Sequence, residues 1–361
     1  MSEAPPEVKP ERRMATRRRT SLDALEQRIV GAAAGLPLTR IGCTVTHVTP
    51  AFVQVSGLSR HLKLGDCIAF GDALAPPLGE VVRIDEDGAT IKPFDANLKI
   101  GPGEVAWLHG NQSLRPDISW KGRVLNALGA PIDGQGPLRE GPRTYAFDAE
   151  PPAAMRRERV RVPLKSGVRV MDMFTPLCAG QRIGIFAGSG VGKSTLLSML
   201  ARSNGFDTVV LALVGERGRE VREFLEDALA QNRSRAVTVV STGDESPMMR
   251  RLAPKTALAI AEFFRDRGDS VLLIVDSVTR FAHATREVSL AAGEAPVARG
   301  YTPSVFSELP KLLERAGPGA EGTGSITGVF SVLVDGDDHN DPIADSIRGT
   351  LDGHIVLDRK I

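Results

Sequence analysis

The sequence predicts an α/β fold, in which a large core built on a parallel sheet follows a small β-barrel domain. Two patterns predict this arrangement. Between residues 36 and 98, short β-rich runs are separated by Gly, Asp and Pro, and several short strands in so small a span favour a closed barrel without exposed edges. Beyond residue 152, continuous apolar runs alternate with longer helical stretches, as expected for strands buried on both faces of a parallel sheet.

The amino-terminal segments precede the barrel. Residues 1–20 are rich in Pro, Glu and Arg, and this composition predicts a disordered basic tail. From Ser21 onwards, Leu22, Leu25 and Ile29 fall on one face of a predicted amphipathic helix. We expect this helix to pack on its own domain, which spans residues 21–98.

The barrel is predicted to lead through a connector into the core. The predicted barrel strands cover 41–48, 52–55, 67–70, 81–84 and 90–94, and Asp87-Gly88 indicates a hairpin turn. A Gly- and Pro-rich connector is predicted over 99–152 and the core over 153–361. The predicted core strands cover 183–186, 208–214, 237–241, 271–275, 326–334 and 354–357.

Composition excludes several classes of function. The formal net charge of the 361 residues is +1, which gives no general attraction to nucleic acid or acidic lipid. The three cysteines, Cys43, Cys67 and Cys178, match no metal-ligand spacing. No apolar run is long enough to span a bilayer, so we expect a cytoplasmic protein.

A glycine-rich turn between a predicted strand and a predicted helix reads Gly188-Ser-Gly-Val-Gly-Lys-Ser-Thr195. Its glycines let the backbone aim N–H groups at phosphate oxygens, and the helix N-terminus adds partial positive charge. We predict that Lys193 reaches the β- and γ-phosphates of ATP and that Ser194 ligates Mg²⁺. The predicted nucleotide-binding residues are Gly188, Ser189, Gly190, Val191, Gly192, Lys193, Ser194 and Thr195.

Acidic residues follow two further predicted strands. Asp276 ends the run 271–275 and is predicted to hold Mg²⁺ directly or through water. Glu216 directly follows the run 208–214 and is placed to polarise the attacking water. We predict that Arg217 touches the γ-phosphate and that Glu220 supports the water shell of the metal. A solvated, charged helix start is the alternative interpretation of this segment.

Several long segments resemble one family. The phosphate loop, the segment Gly215-Glu-Arg-Gly-Arg-Glu220 and residues 271–280 are similar to the catalytic subunits of rotary ATPases. Residues 299–317, 324–338, 341–345 and 351–357 are similar to the type III secretion ATPases, and most to their flagellar branch. The resemblance runs from about residue 25 to the end of the sequence.

The resemblance implies a RecA-like P-loop NTPase core and hydrolysis of Mg·ATP that drives chaperone release and export of flagellar subunits. It implies a homo-hexamer at the cytoplasmic face of the export gate, peripheral to the membrane at most, with a stator-like regulator at the N-terminal region. It also implies that Lys193 is the phosphate lysine, Glu216 the catalytic carboxylate, Arg217 a phosphate contact and Asp276 the metal aspartate.

In one respect the sequence departs from the family. There, the segment that corresponds to 351–357 is followed by Ser-x-Ser-Arg, whose arginine reaches a neighbour's γ-phosphate, and by a helical C-terminal domain. Neither follows residue 357 here, so we expect a C-terminally truncated chain with feeble turnover.

Four alternatives stay open. Two are related ATPases: an injectisome secretion ATPase and a catalytic-type subunit of a proton-translocating ATP synthase. A hexameric RNA translocase would need a basic, aromatic-lined barrel, and only Phe52, Phe70 and Phe94 are aromatic between residues 36 and 98. The fourth alternative is an inactive nucleotide-binding fragment.

Overall fold

The structure is a computed structural model that describes residues 22, 25, 26, 40–57, 59–95, 98–188, 190–229, 232–334 and 341–359. The chain divides into two compact units, Met1–Ile41 and Gly42–Ile361. In the first unit, Leu22, Leu25 and Glu26 are helical and exposed. The predicted tail over residues 1–20 and the rest of the predicted amphipathic helix lie outside the described residues.

The second unit begins with a closed barrel. Its strands are β1 (Gly42–Val48), β2 (Val53–Ser56), β3 (Asp66–Phe70), β4 (Gly79–Ile84), β5 (Gly88–Pro93) and β6 (Val105–Asn111). They close in the order β1-β2-β5-β4-β3-β6, which confirms the predicted barrel. The five predicted strands coincide with β1–β5, and the hairpin turn is closed by a bond of 2.8 Å from Asp85 N to Gly88 O. The sixth strand lies beyond residue 98, where we predicted the connector.

The remaining strands of the described chain are β7 (Ser113–Leu114), β8 (Val124–Asn126), β9 (Tyr145–Ala146), β10 (Pro163–Leu164), β11 (Leu177–Cys178), β12 (Arg182–Ala187), β13 (Thr208–Glu216), β14 (Ala236–Thr242), β15 (Ser270–Asp276), β16 (Gly317–Pro318), β17 (Ser325–Leu333) and β18 (Gly353–Leu357).

A parallel sheet organises the core. Its order is β18-β12-β17-β15-β13-β14-β8, with β16 pairing antiparallel to β17. The six predicted core strands are all present. The apolar runs of five of them are almost wholly buried, whereas β18 alternates between half-buried and exposed residues. This confirms the predicted α/β fold with a parallel core sheet. The outer strand β8 comes from the segment predicted as connector, and the predicted domain boundaries stay predictions.

Helices cover both faces of the sheet. They are α1 (Arg169–Phe174), α2 (Lys193–Ala201), α3 (Gly218–Glu223), α4 (Pro247–Asp266), α5 (Val278–Ala291), α6 (Pro303–Glu314) and α7 (Pro342–Arg348). Apolar side chains of α1 and α2 pack on one face of the sheet, and those of α4, α5, α6 and α7 pack on the other. In the described part of the chain, none of the helices has the length and apolar character that crossing a membrane requires.

Buried charges join the barrel to the core. Arg251 of α4 lies 2.9 Å from Glu80 of β4 and 2.7 Å from Glu308 of α6. Burial opposes the charge on Glu308, but Arg251 and Lys255 hold the pKa of this carboxyl at about 2. At the start of α4, Ser246 Oγ donates to the carbonyl of Phe94 at 2.5 Å. The barrel is therefore anchored on α4 by groups that lose their partners if the two parts separate.

Candidate nucleotide-binding site

The site lies where parallel strands of the core sheet end. The carboxyl ends of neighbouring parallel strands share one edge of a sheet, which is where ligands bind in such folds. Strand β12 ends at Ala187 and leads into the phosphate loop, β15 ends at Asp276, and β13 ends at Glu216. Segments far apart in sequence therefore meet at one edge.

The described part of the phosphate loop has the backbone shape that the sequence predicts. Gly190 and Gly192 have φ of 76° and 95°, a region that residues with a Cβ avoid. Gly192 caps α2, whose first residue is Lys193, and Ser194 and Thr195 are exposed in the first turn. Ser189 lies outside the described residues. The turn thus presents a helix N-terminus and a lysine at the edge of the sheet.

Lys193 connects the loop to the two acidic positions. Its ammonium forms a short ion pair with Asp276 Oδ1, and it lies 3.9 Å from Glu216 Oε1. The Asp276 side chain is 6% exposed and that of Glu216 is 13% exposed. The structure therefore brings together Lys193, Glu216 and Asp276, which sequence analysis assigned to one site.

The Glu216 carboxyl has a pKa well above that of an ordinary glutamate. Its pKa is raised from an ordinary 4.5 to about 7, chiefly by burial and next by the neighbouring Asp276 carboxylate. Lys193 and Arg280 act in the opposite direction, while a hydrogen bond with Glu220 adds to the rise. A group with a pKa near neutrality is suited to proton exchange with water.

Arg217 and Glu220 lie further out. Arg217 is 80% exposed and its guanidinium lies 3.5 Å from Glu220 Oε1. The Glu220 side chain is 40% exposed and reaches the Glu216 carboxyl. Glu220 therefore borders the site, whereas the Arg217 side chain extends into solvent.

Two residues of this site were not predicted from the sequence. Arg280 Nη2 lies 3.6 Å from Glu216 Oε2, and Ser331 Oγ donates to Asp276 Oδ1 at 2.6 Å. The position of Arg280, in the first turn of the helix that follows Asp276, was a signal in the sequence that could have placed it at the site. The serine within the apolar run 326–334 was a weaker indication, because its partner depends on the order of the strands.

The oxygen donors fit Mg²⁺ bound together with a nucleotide. Ser194 and Asp276 offer a hydroxyl and a carboxylate, and no cluster of three or more His, Cys, Asp or Glu side chains suited to a metal occurs among the described residues. Mg²⁺ is commonly held by one or two protein oxygens, substrate phosphates and water rather than by an all-protein cage. The donor set is thus that of a nucleotide-associated cation.

Comparison with known proteins agrees with this geometry. Residues 167–361 match the nucleotide-binding domain of the ATP synthase alpha/beta family. The flagellum-specific ATP synthase of Agrobacterium fabrum is 60% identical over 320 residues, which cover 89% of this chain and 68% of that protein.

Two solved structures share the fold. The assembled ATPase EscN of the enteropathogenic E. coli type III secretion system has a TM-score of 0.80 and 42% identity, over 88% of this chain and 76% of that one. EscN in complex with its central stalk EscO has a TM-score of 0.79 and 40% identity, with the same coverage. The identity to the flagellar relative is higher than to the injectisome protein, which favours the flagellar interpretation over its main alternative. With its barrel, its parallel core and the Lys193–Asp276–Glu216 cluster, the chain belongs to the ATP synthase alpha/beta family, within the flagellum-specific ATPases.

Proposed function

We propose that this protein hydrolyses Mg·ATP to drive chaperone release and export of flagellar subunits through a type III apparatus. The observation that carries the proposal is the convergence of Lys193, Asp276 and Glu216 beside the phosphate loop. A lysine, a buried carboxylate and a second carboxyl with a raised pKa are the groups that phosphate binding, cation binding and water activation require. The resemblance to flagellar and secretion ATPases supplies the biological setting.

Lys193 has a defined task in the proposed mechanism. Its ammonium leaves Asp276 for the β- and γ-phosphates when ATP binds, because three phosphate groups offer more negative charge than one carboxylate. Backbone N–H groups of the phosphate loop and the α2 N-terminus complete the cradle. The proposed nucleotide contacts are Gly188, Ser189, Gly190, Val191, Gly192, Lys193, Ser194 and Thr195.

The cation and the attacking water fall to other residues. Ser194 and Asp276 would hold Mg²⁺, with Glu220 beside its water shell, and the cation would neutralise charge on the phosphates. Glu216 in its carboxylate form orients the attacking water and accepts a proton from it. We assign Arg217 to a γ-phosphate contact, which requires its exposed side chain to turn inward when nucleotide binds.

The proposed assembly and location follow the relatives. We propose a homo-hexamer at the cytoplasmic face of the export gate, peripheral to the membrane, with a stator-like regulator at the N-terminal region and chaperones and flagellar subunits as substrates. EscN has been solved in an assembled form and with a central stalk, which supports a ring with a partner. The near-neutral charge of +1 supports a role without nucleic acid.

Turnover of a glutamine variant tests the proposal. Glu216→Gln keeps the size of the side chain but removes the proton acceptor, so the rate of ATP hydrolysis should fall about 10²- to 10⁴-fold while ATP still binds. Glu223→Gln, on the exposed face of α3 and 61% exposed, is the matched control and should keep full activity. Equal activity of wild type and Glu216→Gln would overturn the catalytic assignment.

A further inference from the structure

Strand β17 lies between the two functional strands of the site. In the sheet it is flanked by β12, which leads into the phosphate loop, and by β15, which ends at Asp276. Ser331 of β17 pairs in register with Ile185 of β12 and is fully buried. Ser331 therefore lies between the strand that leads into the phosphate loop and the strand that ends at the carboxylate assigned to Mg²⁺.

The Ser331 hydroxyl makes a short bond to that carboxylate. Oγ donates to Asp276 Oδ1 at 2.6 Å, the same oxygen that pairs with Lys193. Neighbouring positions of β17, such as Val329, Phe330 and Val332, are buried apolar residues. A buried hydroxyl is unfavourable unless it is hydrogen-bonded, so the bond to Asp276 is what makes a serine acceptable in this strand.

Lys193 and Ser331, the two groups that donate to Asp276, respond differently when nucleotide binds. On the proposed function, on which this step rests, Lys193 turns from Asp276 to the phosphates. The carboxylate then loses its cationic neighbour just as it has to receive Mg²⁺. Ser331 cannot turn to the phosphates as Lys193 does, because it is fixed in the middle of the sheet. Its bond to Asp276 Oδ1 therefore remains.

We infer that Ser331 is a positioning residue for the Mg²⁺ site, which holds the Asp276 carboxylate in one orientation after Lys193 has left it. Partners that orient a metal-binding group typically contribute 10- to 100-fold to metal affinity. Removal of the Ser331 hydroxyl should therefore weaken nucleotide binding in the presence of Mg²⁺ but not in its absence. A hydroxyl that only filled space in β17 would give no such specificity.

The test measures binding of a fluorescent ATP analogue to nucleotide-free protein in a Mg²⁺ titration and, separately, in EDTA. Ser331→Ala should raise the Mg²⁺ concentration for half-maximal enhancement of binding by about 10-fold or more, with affinity in EDTA unchanged. Thr327→Val is the matched control. Thr327 is also fully buried in β17, and its hydroxyl accepts from Gly180 N at 3.0 Å, away from Asp276.

The outcomes separate the inference from the proposed function. An unchanged Mg²⁺ dependence in Ser331→Ala, or an equal loss with Mg²⁺ and EDTA, overturns the role of Ser331 while wild-type binding upholds the nucleotide site. Absence of any Mg²⁺-enhanced binding by wild type sinks the proposed function itself. Ser331→Cys, which fills similar space with a weak donor, replaces the alanine variant if the latter does not fold, and the same loss is expected.

Discussion

Arg280 Nη2 lies 3.6 Å from Glu216 Oε2, and Lys193 Nζ lies 3.9 Å from the other oxygen of the same carboxyl, Oε1, so each oxygen has a cation beside it. The backbone leaves room for this arrangement at Gly215, where a Cβ would come within 2.7 Å of Arg280 Cδ. Burial and Asp276 favour the protonated carboxyl, while Lys193 and Arg280 favour the carboxylate. The balance between these groups fixes the pH at which Glu216 can accept a proton.

The pH dependence of catalysis should report this balance. Since kcat/KM reflects the free enzyme, its value should rise with pH through about 7, as Glu216 becomes ionised. Arg280→Ala removes a charge that lowers the pKa of Glu216, so the midpoint of the profile should move to higher pH. Arg222→Ala removes an arginine that is 80% exposed and should leave the midpoint in place. A midpoint unaffected by Arg280→Ala would show that another group controls the profile.

A methyl group at position 215 should disturb the site. Gly215 has φ of 67°, and Gly215→Ala would both strain the backbone and push Arg280 aside. We expect a loss of about 1–3 kcal/mol in the free energy of unfolding together with lower turnover, measured by urea denaturation and an ATPase assay. Gly218→Ala is the control, because no atom lies within 4 Å of its added Cβ and alanine favours the first turn of α3. Similar effects at both glycines would contradict the packing argument.

Removal of Lys193 should have two separable effects. Lys193→Ala leaves the buried Asp276 carboxylate without its cation, which should lower stability of the nucleotide-free protein by about 3–5 kcal/mol. It should also weaken ATP binding. Adding Asp276→Asn removes the unpaired charge, so the double variant should regain stability but not ATP affinity.

Thermal and binding measurements on this cycle distinguish the two effects. Lys165→Ala, at an exposed lysine of the same core, is the control and should change neither quantity. Undiminished ATP affinity in Lys193→Ala would remove this residue from the site.

Stability should also depend on pH through Glu216. Its folded-state pKa of about 7 is above the ordinary 4.5, so the protonated group stabilises the fold at low pH. This contribution is lost as pH rises through about 7. Glu216→Gln cannot ionise, and its free energy of unfolding relative to wild type should increase by about 2 kcal/mol between pH 5 and pH 8. Urea denaturation without nucleotide measures this, and Glu223→Gln should give a constant difference. A constant difference for Glu216→Gln would contradict the raised pKa.

Local sequence patterns were enough to predict the core strands and most residues of the candidate site. The apolar runs of β12, β13, β14, β15 and β17 need burial on two faces, which a sequence shows directly. Strand order is different, because it depends on packing between distant segments. Without the order β12-β17-β15, nothing in the sequence could connect Ser331 to Asp276.

Two strands show the same limit. β6 has only one fully buried position, Ala106, among polar and partly exposed neighbours, so its pattern is too weak to predict a strand until the barrel needs a partner for β1 and β3. Strand β8 has three residues in a Gly- and Pro-rich setting. β6 and β8 form strands because they pair with the edges of strands that are distant in the sequence, β1 and β3 for β6 and β14 for β8.

The position of β8 bears on how this protein can be divided for experiments. Thr238, Val239 and Val240 of β14 pair with Val124, Leu125 and Asn126, and Leu125 is fully buried. A deletion that starts the core at residue 153 would strip this strand away and leave β14 as a bare template for pairing with another molecule. An expression boundary placed upstream of Arg123 keeps the strand, and the 123–152 segment supplied separately would be a candidate peptide for split-protein complementation of the shortened core.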